Sequence, residues 1–287
     1  MFCELFGYSK QSYYKQSVNN SLSGIKETQA KEAVLLIRRQ MPRLGTRKLH
    51  YLLKEEFNRE QLNIGRDKLF TILRNEGLLI IKKKKYTVTT NSKHWMFKYP
   101  NLIKDISLIR PEQVWVSDIT YINTADKNAY LHLITDAYSK QVMGYELCSD
   151  MEASSTLKAL QMALKNRKYK ALSLIHHSDR GLQYCSKLYT NLLKKNDIQI
   201  SMTENGDPYE NAVAERMNGI LKDEFGLGEQ LENLEQAKHQ TSQSISIYNT
   251  FRPHLSCQML TPKQMHSQQK VKLKTWNKKT SNILVNV

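Results

Sequence analysis

Apolar and polar positions change rhythm twice along this chain. Between residues 28 and 78 the apolar residues recur at helical spacing. Ala33, Leu36, Ile37 and Met41 define a first helix over residues 28–40, ended by Pro42. Leu49, Leu52, Leu53 and Phe57 define a second, starting near Thr46. Leu69, Ile72 and Leu73 define a third, starting near Arg66 and closed by Gly77. Arg47, Lys48, Arg66, Lys68 and Arg74 fall on the polar faces. Three short helices with a basic outer face fit a plain or winged helix-turn-helix; a small bundle with a solvated face is the bland alternative. Ahead of them, an apolar stretch runs into Gly7 and Ser9 is placed to cap a helix, while residues 16–23 read as a polar loop.

From Val114 the rhythm becomes that of strands. Residues 114–122, 130–137 and 142–147 are three strand-like runs joined by short turns, which predicts an antiparallel meander. An amphipathic helix over 154–168 follows, with Leu157, Leu160, Met162 and Leu164 as its apolar residues. Then come a strand over 172–176, a helix over 188–196 and a strand over 198–202. Asp207 as cap, Pro208 at the first helical position and Glu210 at the third predict a helix reaching about Phe225. One more helix is expected over 234–248, before a basic tail with few structure signals. The pattern is α/β: a mixed five-stranded sheet with flanking helices, preceded by a small all-helical domain. The expected divisions are 1–27 as a partial helix-turn-helix and linker, 28–81 as a DNA-binding domain and 82–110 as a basic linker. Residues 111–227 form the core, and 228–287 a C-terminal helix and tail.

Charge sharpens this division. Residues 1–110 carry 22 Lys/Arg against 9 Asp/Glu, residues 111–227 carry 13 against 15, and residues 228–287 carry 8 against 3. A neutral-to-acidic middle flanked by basic arms suits an enzyme acting on a polyanion, because basic arms grip phosphates and carboxylates invite a metal cation. The run Lys82, Lys83, Lys84 and Lys85 is either a solvated linker or a phosphate contact. No apolar run approaches the roughly 18 residues of a membrane span. The chain reads as soluble and intracellular, with Cys3, Cys148, Cys185 and Cys257 expected as unpaired thiols.

Three acidic residues stand out. Asp118 interrupts the apolar strand Val-Trp-Val-Ser-Asp-Ile-Thr-Tyr-Ile, where an ionised carboxylate is costly unless paired or bound to metal. Asp179 follows a strand in Ile-His-His-Ser-Asp-Arg-Gly. His176 and His177 alternate faces of that strand and are read as packing or substrate-contact residues. Glu215 lies on a helix with Asn218 and Lys222 on the same face, while Met217, Ile220 and Leu221 pack elsewhere. Between Asp179 and Glu215 lie 35 residues.

These segments together resemble the DDE transposases of bacterial insertion sequences encoded by two overlapping frames, and specifically the second-frame product. The resemblance extends to the retroviral integrase core and the RNase H-like fold. It rests on Trp115 to Tyr121, His176 to Gly181, Asn211 to Arg216 with Lys222, Tyr248 to His254, Thr261-Pro262, and the segment from Gly45 to His50. It implies that Asp118, Asp179 and Glu215 hold two Mg²⁺ or Mn²⁺ ions for phosphodiester cleavage and strand transfer, with Lys222 positioning phosphate. Arg216 joins the expected DNA contacts. DNA, as element ends and target, is the implied partner of a homo-oligomer, together with an upstream first-frame product joined to this chain as a frameshift fusion. Zinc is not expected, since residues 1–110 offer only Cys3, His50 and His94. A simple nuclease of this fold, or a non-catalytic DNA-binding regulator, are the alternatives.

Overall fold

The computed structural model describes residues 7, 9–81, 96–204, 211–268, 271 and 273. The chain divides into two compact units, one of Met1–Tyr86 with Asp223–Gly226 and one of Thr87–Lys222 with Leu227–Val287.

In the smaller unit, the Ser9 side chain accepts a hydrogen bond from the Ser12 amide and starts α1 (Lys10–Gln40). The polar loop expected over residues 16–23 is therefore helix. No proline separates Ser9 from Pro42, and a solvent-facing helix tolerates Lys, Gln, Asn and Ser. The inward stripe of α1 also differs: Leu36 is 58% exposed, whereas Ala30, Ala33, Val34 and Met41 are buried. This helix contacts α2 (Thr46–Arg59) and α3 (Arg66–Asn75), which bury Leu49, Leu53 and Phe57 and Leu69, Ile72 and Leu73. Gly77, with φ +66°, takes the left-handed turn after α3 that a Cβ would disfavour.

Among the described residues of the larger unit, one five-stranded sheet has the order β3-β2-β1-β4-β5. The strands β1 (Val114–Ile122), β2 (Ala129–Asp136) and β3 (Val142–Cys148) form the antiparallel meander. Next, α4 (Ala153–Asn166) crosses to β4 (Leu174–Ser178). After α5 (Leu182–Cys185) and α6 (Lys187–Lys195), β5 (Ile198–Met202) completes the sheet, with β4 parallel to both β1 and β5. This is the RNase H-like arrangement.

Side-chain alternation gives each sheet face its own cover. Trp115, Ile134 and Met143 pack under Ala159, Leu160 and Ala163 of α4 and beside Tyr184 and Tyr189. The approach of α4 to β3 is so close that a Cβ on Gly144 would lie 2.1 Å from the Ala159 carbonyl oxygen. On the other face, Val114, Val116 and Ala137 meet Ala214 of α7 (Ala212–Glu224) and Ile103, Ile106 and Leu108.

Two stretches expected to lie outside the core are part of this unit. Within the supposed linker 82–110, the Met202 amide donates to the Pro100 carbonyl and the Leu102 amide to Ser201 Oγ, which seats residues 100–108 on the sheet. Beyond α7, α8 (Leu234–Thr250) packs on β3, and Asn249 bonds both backbone groups of Val142 at the sheet edge. The tail then forms α9 (Pro262–His266), started by a capping box on Thr261 and anchored by Met265 beside Tyr138 and Cys257. Five residues are too few to show a helical period in the sequence. Tyr248, Arg252 and His254 are buried together, with Tyr248 Oη 2.8 Å from His254 Nε2. No helix among the described residues is long and apolar enough to cross a membrane.

Candidate active site

The parallel register of β1 and β4 brings two of the three acidic residues together. Val116 is paired with His177, so the same register two residues on sets Asp118 beside Asp179. Asp118 shares the face of Val114 and Val116, the one covered by α7. Asp179 leaves β4 in a tight turn, where its Oδ1 accepts from the Gly181 amide at 3.0 Å. Glu215 lies in the first turn of α7, exposed at the edge of the same site.

The electrostatics of Asp118 report this crowding. Burial, then the negative charge of Asp179 and more weakly that of Glu215, push its carboxyl up to about 7. The Ile119 amide at 2.9 Å from Oδ1 and the Asn218 amide at 2.7 Å from Oδ2 act in the opposite direction and do not offset it. Partial desolvation raises Glu215 as well. A carboxyl raised by burial and by two acidic neighbours would be relieved by added positive charge.

One face of α7 lies along β1 and is held there by three different contacts. Asn211 Nδ2, just before the helix, donates to the Ser117 carbonyl at 3.1 Å. Asn218 donates to Asp118, and Lys222 places its ammonium 4.1 Å from the centre of the Tyr121 ring. Glu215 is on this same face. The expected start of the helix, at Asp207, Pro208 and Glu210, lies outside the described residues. Asn211, Asn218 and Tyr121 carried no role in the sequence reading. The four- and three-residue offsets from Glu215 were a usable signal for the two asparagines.

The other expected residues divide by environment. His176 and His177 are fully buried, bonded to Tyr189 Oη and Ser201 Oγ at 2.8 Å each, so they pack and do not reach a substrate. Arg47, Arg74 and Arg216 are exposed. Arg66 grips its neighbour Asp67, and Lys68 pairs with Glu27. Lys48 is not on the outer face: it is buried and donates to Glu224 Oε1 at 2.8 Å, because its apolar stem packs while its ammonium finds a carboxylate. Lys82, Lys83, Lys84 and Lys85 lie outside the described residues, as do Cys3 and His94. Cys148, Cys185 and Cys257 are free thiols.

Comparison with known proteins places these features in a family. The integrase core domain family matches twice, over residues 109–208, which hold Asp118 and Asp179, and over residues 196–262, which hold Glu215 and Lys222. An uncharacterized 31 kDa protein of insertion element IS600 from Shigella sonnei is 33% identical over 91% of this chain and 95% of its own length. Transposase InsF of insertion sequence IS3fB from Escherichia coli (strain K12) is 34% identical over 68% of each chain. Among solved structures, the HTLV-2 integrase catalytic core domain in complex with magnesium aligns at TM-score 0.44 and 18% identity, covering 55% of this chain and 97% of that one. A chain of the simian T-cell lymphotropic virus intasome in complex with PP2A regulatory subunit B56 gamma aligns at TM-score 0.49 and 18% identity, covering 82% of this chain and 75% of that one. The chain belongs to the insertion-sequence transposases, DDE-type enzymes of DNA transposition built on an integrase core domain.

Proposed function

We propose that Asp118, Asp179 and Glu215 are the catalytic carboxylates of this transposase and hold two divalent cations, Mg²⁺ or Mn²⁺, during DNA cleavage and strand transfer. The observation that carries this is Asp118, pushed up to about 7 by burial and by two neighbouring carboxylates. A donor set made only of carboxylate oxygens suits a hard cation. Among the described residues no three acidic, His or Cys side chains are gathered tightly enough to enclose an ion. Exposed Glu215, at the start of α7, is the group with freedom to swing inward. Bound cations would help ionise an attacking water or 3′-hydroxyl and neutralise the leaving oxygen.

The chain's own residues supply position. β1 and β4 hold Asp118 and Asp179 in fixed register, and the Gly181 amide holds Asp179 from behind. Lys222, on the same face of α7, orients a phosphate, and exposed Arg216 extends that contact along the strand. The helical unit grips duplex phosphates through Arg47 and Arg74, and the lysines 82–85 add to this grip. Two DNA ends must be joined to one target, so the working form is an oligomer on DNA. An upstream first-frame product, fused by frameshifting, supplies recognition of the element's ends, since phosphate contacts position a protein without specifying sequence.

The test is cleavage and joining of a labelled duplex carrying the element's end. Asp118→Asn, Asp179→Asn and Glu215→Gln should each lower both steps by at least about a thousandfold while DNA affinity stays within about twofold, as expected when charge is removed without bulk. Wild-type rates in any one of the three variants would refute the assignment of that residue.

A further inference from the structure

Two carboxamides tie α7 to β1, and Glu215 lies between them. Asn211 Nδ2 donates to the Ser117 carbonyl at 3.1 Å, and Asn218 Nδ2 donates to Asp118 Oδ2 at 2.7 Å. Seven residues are close to two helical turns, so both amides project from one side. Glu215 follows the first by four residues and precedes the second by three, which puts it on that side too.

Their burial argues that they are there for a reason. Asn211 is 6% exposed and Asn218 is 7% exposed. A buried amide costs free energy unless its groups are bonded, and each of these keeps a buried Oδ1 without a hydrogen-bond partner. Leucine would fill either space without that cost. What leucine cannot do is donate to two successive residues of β1, one of them the acidic residue of the site. The orientation of Asn218 is also determined, because the reversed amide would turn its oxygen toward the Asp118 carboxylate.

We propose that Asn211 and Asn218 are positioning residues for the reaction, acting as a clamp that fixes α7 in register on β1. The clamp sets where Glu215 stands relative to Asp118, and its second member also fixes the orientation of the Asp118 carboxylate. The proposal rests on the reading that these carboxylates share divalent cations. It adds that the spacing of the donor set is held by two amides that are neither ligands nor substrate contacts.

The test uses the full chain, with Mn²⁺ alone as the probe and its binding read by electron paramagnetic resonance. Asn218→Leu removes the donor at similar volume, and Asn211→Ala removes the other hold. Each should weaken Mn²⁺ binding roughly ten- to hundredfold, the usual effect of losing a group that orients a metal ligand. The rate of Mg²⁺-dependent end cleavage should fall by a similar factor, with DNA affinity unchanged. Amide hydrogen exchange without metal gives a separate readout. Protection in the first turns of α7 should fall in both variants, while protection in α4 and β2 stays as in the wild type. A lowered melting temperature with unchanged Mn²⁺ affinity and unchanged rate would overturn the proposal, since the amides would then be structural only. If the wild type itself binds no Mn²⁺, the cation reading fails. Hydrogen exchange still decides the clamp: lost protection in α7 supports it and unchanged protection overturns it.

Discussion

Two acidic clusters, one just before β1 and one at its middle, are treated by the fold in opposite ways. Just before the strand, Glu112 is completely buried beside Asp136 at the end of β2. Glu112 accepts from the amides of Lys168 and Tyr169 at 2.7 and 2.8 Å. Asp136 accepts from the Glu112 amide at 2.6 Å and from the amide and hydroxyl of Ser139 at 2.7 and 2.6 Å. Between the two carboxylates sits His266 of α9, 3.2 Å from Glu112 Oε1 and 3.8 Å from Asp136 Oδ1. Burial opposes its charge, but the bonds to Asp136 and Glu112 prevail and raise it to about 9. Burial likewise opposes ionisation of Glu112, and its hydrogen bonds outweigh that and hold it below the usual carboxylate range. In the middle of the same strand, Asp118 faces carboxylates and is pushed the other way.

The difference separates structure from function. Where the fold brings its own cation and enough donors, buried carboxylates act as a fastener, here for the C-terminal segment. Where it sets carboxylates so that they raise one of their number, the proposed cations would add positive charge.

Breaking the balanced cluster should have the largest effect on stability. His266→Ala leaves two buried carboxylates with only the Arg167 guanidinium, 3.8 Å from Glu112 Oε2, and should cost about 3 kcal/mol in chemical denaturation. End cleavage per folded molecule should be nearly unchanged, because Glu112 precedes β1 and shares no hydrogen bond with Asp118. A loss of activity without a loss of stability would erase the distinction between the two clusters.

The opposite sign is expected at Asp118. An acid raised from its ordinary 3.8 to about 7 contributes stability that is present below 3.8 and lost as pH rises through 7. Asp118→Asn should therefore raise stability at pH 8 in EDTA by about 2 kcal/mol. That is half of what the displacement implies at about 1.36 kcal/mol per pH step, since the site partly reaches solvent. Thermal melts of the two proteins decide it, and a destabilised variant would mean that Asp118 is a satisfied structural residue.

The pH dependence itself can be divided between the clusters. His266, raised from 6.5 to about 9, contributes stability that is full below 6.5 and lost as pH rises through 9. Stability measured from pH 4 to 10 should fall in two windows. Asp118→Asn should flatten the one below about pH 7, and His266→Ala the one above about pH 6.5. A single window abolished by either substitution would show the clusters to be coupled.

The basic residues of the helical unit repeat the contrast on a smaller scale. Arg47→Ala and Arg74→Ala should each reduce the salt dependence of DNA binding by about one unit of slope with little change in stability. Lys48→Ala should leave the slope unchanged and lower stability, because Lys48 is already paired with Glu224. Salt titrations of binding, run beside denaturation curves, separate the two outcomes.

Much of this was legible in the sequence, for reasons that also explain the gaps. The bounds of β1 and β5 follow from short Val- and Ile-rich runs, and Asp118 is conspicuous because it interrupts one of them. Residues 16–23 misled because composition alone does not distinguish a solvated helix from a loop. Lys48 and Arg47 are adjacent and alike in charge, and only packing decides which one is buried. His266 is a lone histidine near the end of the described chain. Nothing in its neighbours shows that it meets Glu112, which is 154 residues away. Asn211 and Asn218 could be placed on the face of Glu215 by spacing, but their hydrogen bonds exist only once α7 lies on β1.

The most direct measurement of the central claim is the melting temperature of the metal-free wild type and of Asp118→Asn as Mg²⁺ is titrated at pH 8. A cation that binds only the folded site stabilises it by about RT ln(1 + [L]/Kd), or roughly 2.7 kcal/mol at a hundredfold excess over Kd. The wild type should melt several degrees higher with saturating Mg²⁺, and Asp118→Asn, more stable at the start, should not respond. Equal shifts in both proteins, or no shift in the wild type, would contradict the claim that these carboxylates are gathered for a cation.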